Sequence, residues 1–304
     1  MPERAARALS DAPFPMTLSI RPRRSVLYMP GANERALDKA RGLDADALIL
    51  DLEDAVAPDA KAQARERVAQ ALRQGGYGRR ECVVRVNALD TPWGRDDVRA
   101  IAGAGADAVL LPKVEDPAQL HALARALDEA GAPPGLPLWA MAETPLGFLR
   151  LDAIACGHPR LAAIVVGTSD LVKDLHARHT PGRQETLLAR SLAVMAARAH
   201  GLAALDGVHL DLNDDAGLAA ACEQGRDLGF DGKTLIHPRQ IAPANAAFAP
   251  SGAEVALARK RLQAWRAAQA AGQGVAVVDG ALVENLHARE AERLIALAEA
   301  IGKF

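Results

Sequence analysis

The feature that most constrains this chain is a rhythm of eight short apolar runs, each of strand length, separated by amphipathic stretches. The runs are Ser25–Met29, Ala47–Leu52, Cys82–Val86, Ala108–Leu111, Leu136–Ala142, Ala162–Val166, Ala204–Leu210 and Thr234–His237. Continuous apolar runs of this length are expected of strands buried on both faces. Between them, Asp59–Arg73, Pro117–Ala130, Arg183–His200 and Asp214–Leu228 carry apolar residues at three- and four-residue steps with charges between. That spacing predicts helices packed on one side. Cap-like residues open several of them, as at Asp116-Pro117 and Asn213-Asp214, and glycine lies near their ends at Gly131, Gly201 and Gly229. Eight strand-then-helix units predict an α/β chain folded as a (β/α)8 TIM barrel, with a doubly wound open sheet as the competing arrangement.

In a barrel the chemistry sits at the carboxyl edge of the strands. This sequence places charge there repeatedly. Strand two ends in Asp51-Leu-Glu-Asp54, strand three in Arg85-Val-Asn87, strand four in Pro112-Lys-Val-Glu115, strand five in Glu143, strand six in Gly167-Thr-Ser-Asp170, strand seven near Asp211 and strand eight in His237-Pro238. Unpaired charges facing a cleft must pair with each other, with a metal or with a ligand. Glu143 and Asp170 close two successive apolar runs, so on adjacent parallel strands they would emerge at one edge. Two carboxylates, water and a chelating substrate suit Mg2+, which rarely takes a cage made only of protein. The alternative is that each acid merely caps the helix start that follows it.

The 304 residues are 50% hydrophobic and 24% charged, with a net charge of -2. Such a chain can bury a large core, and it lacks the basic excess of a nucleic-acid surface. No apolar run approaches a membrane span. Cys82, Cys156 and Cys222 have no metal-ligand spacing, and are expected as small core residues in a reducing compartment. Residues 1–23 are rich in Arg, Ala and Pro and lack the apolar segment of a secretory signal; a disordered leader is favoured over a transit peptide, and the location expected is cytoplasmic.

The barrel is expected over residues 24–250, and the pattern changes after Pro250. Residues 251–304 read as a C-terminal extension, with helices over Ser251–Ala271 and His287–Ile301 joined by the glycine-flanked, mostly apolar segment Gly272–Gly280. That segment is either a mobile lid carrying one acid, Asp279, or a β-turn at Asp279-Gly280, which the pattern alone favours.

Seven segments together resemble the citrate lyase beta-subunit-like family of the HpcH/HpaI aldolase superfamily. They are Arg24-Ser-Val-Leu-Tyr-Met-Pro-Gly31, Asp51-Leu-Glu-Asp-Ala-Val56, Val84-Arg-Val-Asn87, Leu111-Pro-Lys113, Ala142-Glu-Thr-Pro145, Gly167-Thr-Ser-Asp-Leu171 and Phe230-Asp-Gly-Lys-Thr-Leu-Ile-His-Pro-Arg239. The resemblance covers about residues 23 to 300. It implies a TIM barrel of the phosphoenolpyruvate/pyruvate type, a Mg2+ site, coenzyme A thioester substrates, and a homotrimer or hexamer in which a C-terminal segment reaches the neighbouring active site.

Carried over by position, the resemblance makes Glu143 and Asp170 the metal ligands, Glu143 also a substrate-binding residue, and Arg85 the substrate-binding and catalytic arginine. It places Asp51, Glu53 and Asp54 around metal-bound water and Lys113, and makes Asp279 the catalytic acid of the lid. Arg24 and Tyr28, on strand one, are candidates for contacts with the coenzyme, whereas Arg35 and Lys39 read as solvated. Lys113 is expected to neutralise the acids rather than form a Schiff base, and His237 to close a strand end by hydrogen bonding. The activity implied is carbon–carbon cleavage or formation between acetyl-CoA and a 2-oxo acid, as in a malyl-CoA or citramalyl-CoA lyase. Two alternatives remain, the beta subunit of citrate lyase acting on a carrier-bound citryl thioester, and a barrel that binds ligand without catalysis.

Overall fold

Successive side chains of a strand point to opposite faces, and here both faces are apolar. Strands β1 (Ser25–Pro30), β2 (Ala47–Asp51), β3 (Glu81–Arg85), β4 (Ala108–Leu111), β5 (Leu138–Ala142), β6 (Leu161–Val166), β7 (Ala203–Asp206) and β8 (Gly232–Leu235) each pair in parallel with the next, and β8 pairs with β1 to close a barrel. Because β1 bonds both β2 and β8, the sheet has no edge, which excludes the open arrangement. One set of side chains, including Val26, Ile49, Val83, Leu110, Trp139 and Val165, packs together inside the ring. The alternate set, such as Leu27, Leu48, Leu50 and Val84, belongs to the larger core under the helices.

This computed structural model describes residues 20–302, so the leader expected over 1–23 lies outside the described residues up to 19. Arg23 already belongs to the barrel, pairing with Glu81 at 2.6 Å and lying over the Trp139 ring.

The helices that follow the strands are α1 (Glu34–Ala40), α2 (Lys61–Gln74), α3 (Gly94–Ile101), α4 (Pro117–Glu129), α5 (Pro145–Leu149), α6 (Leu151–Ala155), α7 (Thr168–Asp174), α8 (Leu187–His200), α9 (Asp215–Leu228) and α10 (Ile241–Phe248). Their ends follow local chemistry. Asp116 and Gln119 form a reciprocal capping box with Pro117 at the first helical position, and Gly229 closes α9 in the left-handed conformation. Most strand boundaries shift by one or two residues, and the last two strands depart most from expectation. The run Ala204–Leu210 stays in the sheet only to Asp206, and β8 begins at Gly232, ahead of Thr234. Asp206 therefore takes the strand-end position expected near Asp211, which is exposed in the following loop.

The described residues divide into two compact units, one spanning Pro22–Ala249 and the other containing the chain from Pro250. In the second, α11 (Gly252–Ala270) packs on α12 (Asn285–Gly302), and β9 (Ala276–Val278) and β10 (Ala281–Val283) form an antiparallel hairpin between them in sequence. Trp265, Val278, Val283 and Ala288 make a small core of their own. Asp279 and Gly280 both have positive φ, 51° and 79°, as a two-residue type I′ turn requires. Among the described residues no helix is long and apolar enough to cross a membrane. Cys82 and Cys222 are buried as expected, but Cys156 is exposed because it ends α6 at the surface.

Candidate active site

A cavity of about 330 Å3 lies at the carboxyl edge of the barrel and is lined by Tyr28, Asp51, Arg85, Glu143 and Asp170, among others. Glu143, the residue after β5, is only 1% exposed. Asp170 comes from the first turn of α7, directly after β6, so adjacent strands deliver the two acids to the same space. Local packing makes that possible. A Cβ on Gly167 would stand 2.4 Å from the Glu143 Cβ and 2.6 Å from its Oε2, so only glycine lets β6 finish beside that carboxylate. On its other side, Lys113 adopts a left-handed backbone, φ 51°, and its N–H donates to Glu143 Oε1 at 2.8 Å. A non-glycine residue in this conformation is strained and is held there by its surroundings.

Arg85, at the end of β3, is 6% exposed and clamped by acids. Its Nε and Nη2 donate to the two oxygens of Asp51, each at 2.7 Å, and Nη1 lies 2.8 Å from Glu53 Oε2. Asp51 in turn accepts the backbone N–H groups of Glu53 and Ala55, so one buried carboxylate orients both the arginine fork and the acidic turn. The guanidinium lies 4.9 Å from the centre of the Tyr28 ring. Nη1 also donates to the Met141 sulfur at 3.7 Å, so of the five N–H groups of the guanidinium one on Nη2 is left beyond these contacts. Lys113 Nζ sits 2.5 Å from Glu53 Oε1 and 4.0 Å from Glu143 Oε1.

These neighbours set the charges. Burial pushes the Glu143 carboxyl up to about 8, and Lys113 only partly opposes it. Burial also pushes Asp170 upward, but a hydrogen bond from Lys173, the Lys113 charge and a hydrogen bond with Glu143 leave it below the usual carboxylate range. For Lys113, burial opposes the charge and the Glu53 hydrogen bond and the Glu143 charge outweigh it, so its pKa rises. Lys113 therefore stays protonated, as a neutralising group should and a Schiff-base nucleophile should not.

Among the described residues no three His, Cys, Asp or Glu side chains gather as a metal cage. A hard divalent ion needs no such cage, since Mg2+ uses one or two carboxylates and completes its shell with water and substrate. Two carboxylates lining one cavity, one of them buried, form a donor set that fits such an ion.

The remaining candidates take other places. Arg24 precedes β1, and its guanidinium closes a two-pronged pair at 2.8 Å on Asp46, which precedes β2. It thus fastens the amino-terminal lip of the barrel and is not among the residues that line the cavity. Tyr28 lines the cavity itself beside Arg85, with its hydroxyl 3.8 Å from the Met141 sulfur. Asp54 is largely exposed, 3.6 Å from Arg85 and 4.0 Å from Lys113, at the rim of the cluster. Asp279 stands on the hairpin turn of the second unit, where it pairs with Lys260. His237 closes the end of β8 by accepting the Arg239 N–H.

Sequence reading placed Asn87 at a strand end without its supporting role and missed Lys61. Lys61 is buried and donates to the carbonyls of Leu52 and Glu53 at 2.9 Å each, while Asn87 donates to Leu52 at 2.8 Å, so both pin the acidic turn from below. It also missed an apolar wall after β7 and β8, made by Val208, Leu210 and Ile236.

Residues 24–238 match the family model described as HpcH/HpaI aldolase/citrate lyase. The chain belongs to this family. The family includes coenzyme A-acting lyases and a thioesterase. Among its members, a (3S)-malyl-CoA thioesterase of Cereibacter sphaeroides is 53% identical over 283 residues, covering 93% of this chain and 97% of the relative. An L-malyl-CoA/beta-methylmalyl-CoA lyase of the same species is 36% identical, covering 93% and 96%. Of the solved family structures, CitE from Mycobacterium tuberculosis in complex with magnesium, acetoacetate and coenzyme A superposes with a TM-score of 0.74 at 31% identity, covering 90% of this chain and 97% of that one.

Proposed function

We propose that this chain is a Mg2+-dependent lyase that cleaves a 3-hydroxyacyl-CoA of the malyl-CoA type to acetyl-CoA and a 2-oxo acid, glyoxylate or pyruvate, or joins the two. The observation that carries this reading is the convergence of Glu143 and Asp170 in a cavity whose lining holds one basic side chain, Arg85. Mg2+ held there would act as a Lewis acid on the carbonyl that is released or attacked. Arg85 would spend its remaining Nη2 N–H on the oxygen where negative charge develops, with its fork aimed by Asp51. Asp279 would take the proton of the substrate hydroxyl. As the carbon–carbon bond breaks, its electron pair passes into the thioester enolate, which takes up a proton to become acetyl-CoA. In this reading the lid that carries Asp279 comes from the adjacent subunit of a homotrimer or hexamer. A reducing, cytoplasmic setting belongs to the same proposal and agrees with three free cysteines.

The cavity supports a small acyl group. Its 330 Å3 is at the low end for ligand sites, enough for the acid and thioester head with the nucleotide outside. A citryl thioester has two free carboxylates where a malyl thioester has one. The side of the cavity formed by Val208, Leu210 and Ile236 offers the second carboxylate no cation, which favours the malyl class over citrate.

Hydrolysis of the thioester is the second reading, favoured by the malyl-CoA thioesterase relative. One assay separates them: the purified chain with Mg2+ and malyl-CoA, followed for glyoxylate as its phenylhydrazone and for free thiol. Glyoxylate without thiol supports the lyase, and malate with thiol but no glyoxylate replaces it by hydrolysis. No Mg2+-dependent turnover of malyl-CoA or citramalyl-CoA would overturn both.

A further inference from the structure

Helix α7 cannot hold itself in place. It has seven residues, and its N-cap, Gly167, has no side chain to bond the first turn. Isolated helices so short are unstable in water. Yet α7 carries Asp170, so its position must be fixed from outside.

Both of its ends lead to Asp206, at the end of β7. At the start, Thr168 abuts Gly207, where an added Cβ would lie 2.6 Å from Thr168 Cγ2 and 2.7 Å from its Oγ1. Gly207 is held by its own N–H, which donates to Asp206 Oδ1 at 2.9 Å, and by its carbonyl, which accepts from Lys233 Nζ. At the other end the chain leaves α7 through His176, at φ 53°, and runs to Arg183, at φ 55°. Arg183 closes a two-pronged pair on the Asp206 carboxylate, 2.7 Å on each oxygen. Arg190, wholly buried on α8, donates to the Arg183 carbonyl and to Thr186 Oγ1, both at 3.2 Å, which holds Arg183 in its left-handed turn. The turn Gln184–Thr186 packs back against α7.

Asp206 and Lys233 are 0% exposed, and neither lines the cavity. A buried ion cluster is seldom more stabilising than apolar packing of the same volume, and its best-attested use is to fix one geometry among several. We propose that Asp206, clamped by Arg183 and Lys233, is a positioning residue that sets Asp170 in place by anchoring both ends of α7. The inference rests on the reading of Asp170 as a metal ligand.

The test uses the full chain, with Mn2+ as a paramagnetic probe of the metal site and hydrogen exchange as a probe of α7. Arg183→Lys keeps the charge and loses the fork. Gly207→Ala keeps every charge and pushes Thr168. In both variants, amide exchange across residues 168–177 rises at least about tenfold while β2 and β3 are unchanged. Mn2+ affinity falls about 10- to 100-fold, the usual effect of losing a partner behind a ligand. A merely structural role would lower the unfolding temperature and leave both readouts alone. Folded variants with wild-type exchange in 168–177 and wild-type Mn2+ affinity overturn the proposal; should Arg183→Lys fail to fold, Gly207→Ala decides. Failure of the metal reading looks different: the wild-type chain binds no Mn2+, while the two variants still loosen α7.

Discussion

Replacing Arg85 by lysine tests the catalytic cluster most directly, because lysine keeps the positive charge and removes the fork. Arg85 makes three acid contacts shorter than 3 Å, two to Asp51 at 2.7 Å and one to Glu53 at 2.8 Å, and has an N–H on Nη2 left for substrate. An ammonium can satisfy one or two acids, but cannot span both Asp51 oxygens, reach Glu53 and still donate toward the cavity. Losing one donor to a developing oxyanion costs a factor of about 100 to 1000 in kcat, or about 2.7–4 kcal/mol. The expected stability loss is smaller. Asp51 keeps the backbone N–H groups of Glu53 and Ala55 and a lysine charge nearby, so the loss falls below the roughly 3–5 kcal/mol of a buried pair broken outright. Steady-state kinetics on malyl-CoA at saturating Mg2+, run beside thermal unfolding, separate the two. Wild-type kcat with a lowered unfolding temperature would make Arg85 purely structural, and a raised KM at constant kcat would reduce it to uniform substrate binding.

Three further outcomes follow from the same geometry. Because burial pushes Glu143 up to about 8, its protonated form dominates at neutral pH and must give up its proton to an incoming cation. Mg2+ affinity should therefore fall as pH drops below about 8, by about tenfold per unit at the steepest, and binding at neutral pH should release close to one proton by calorimetry in two buffers; flat affinity across that range would contradict this. Gly167→Ala places a Cβ 2.4 Å from the Glu143 Cβ and should cost about 1–3 kcal/mol in thermal unfolding together with metal affinity, and a variant of unchanged stability would show that the strand end has room to move. Asp279→Asn should lower kcat by about 100-fold or more while Mg2+ binds as before, and parallel loss of metal affinity would count against its role as base.

The barrel was readable because each strand is a short apolar run buried on both faces, a pattern that survives without any knowledge of partners. The acids at the strand ends were readable for the same reason, since Glu143 interrupts an otherwise apolar stretch. Reading failed where an apolar residue serves something other than the sheet. Val208 and Leu210 extended the seventh run, but the chain turns at Asp206-Gly207 and gives them to the cavity. The setting of Arg24 was not legible, because a basic residue before strand one could face either lip, and only Asp46, brought beside it by strand pairing, puts it at the lower one. The Arg183–Asp206–Lys233 clamp joins residues 23 and 27 positions apart and ends in no motif that spacing alone exposes. For Asp279 the local chemistry gave the turn, while its part in a reaction depends on what the hairpin meets.

The apolar wall after β7 and β8 divides the molecule's labour. The ionisable groups of the cavity hang from β2 through α7, whereas Val208, Leu210 and Ile236 line it from the segments after β7 and β8, with Leu210 and Ile236 partly open to solvent. Descendants of such a gene could drift toward a bulkier or more polar acid through a few substitutions on that wall, each neutral to the bond-breaking apparatus. A scaffold arranged this way can diversify its diet without reinventing its teeth.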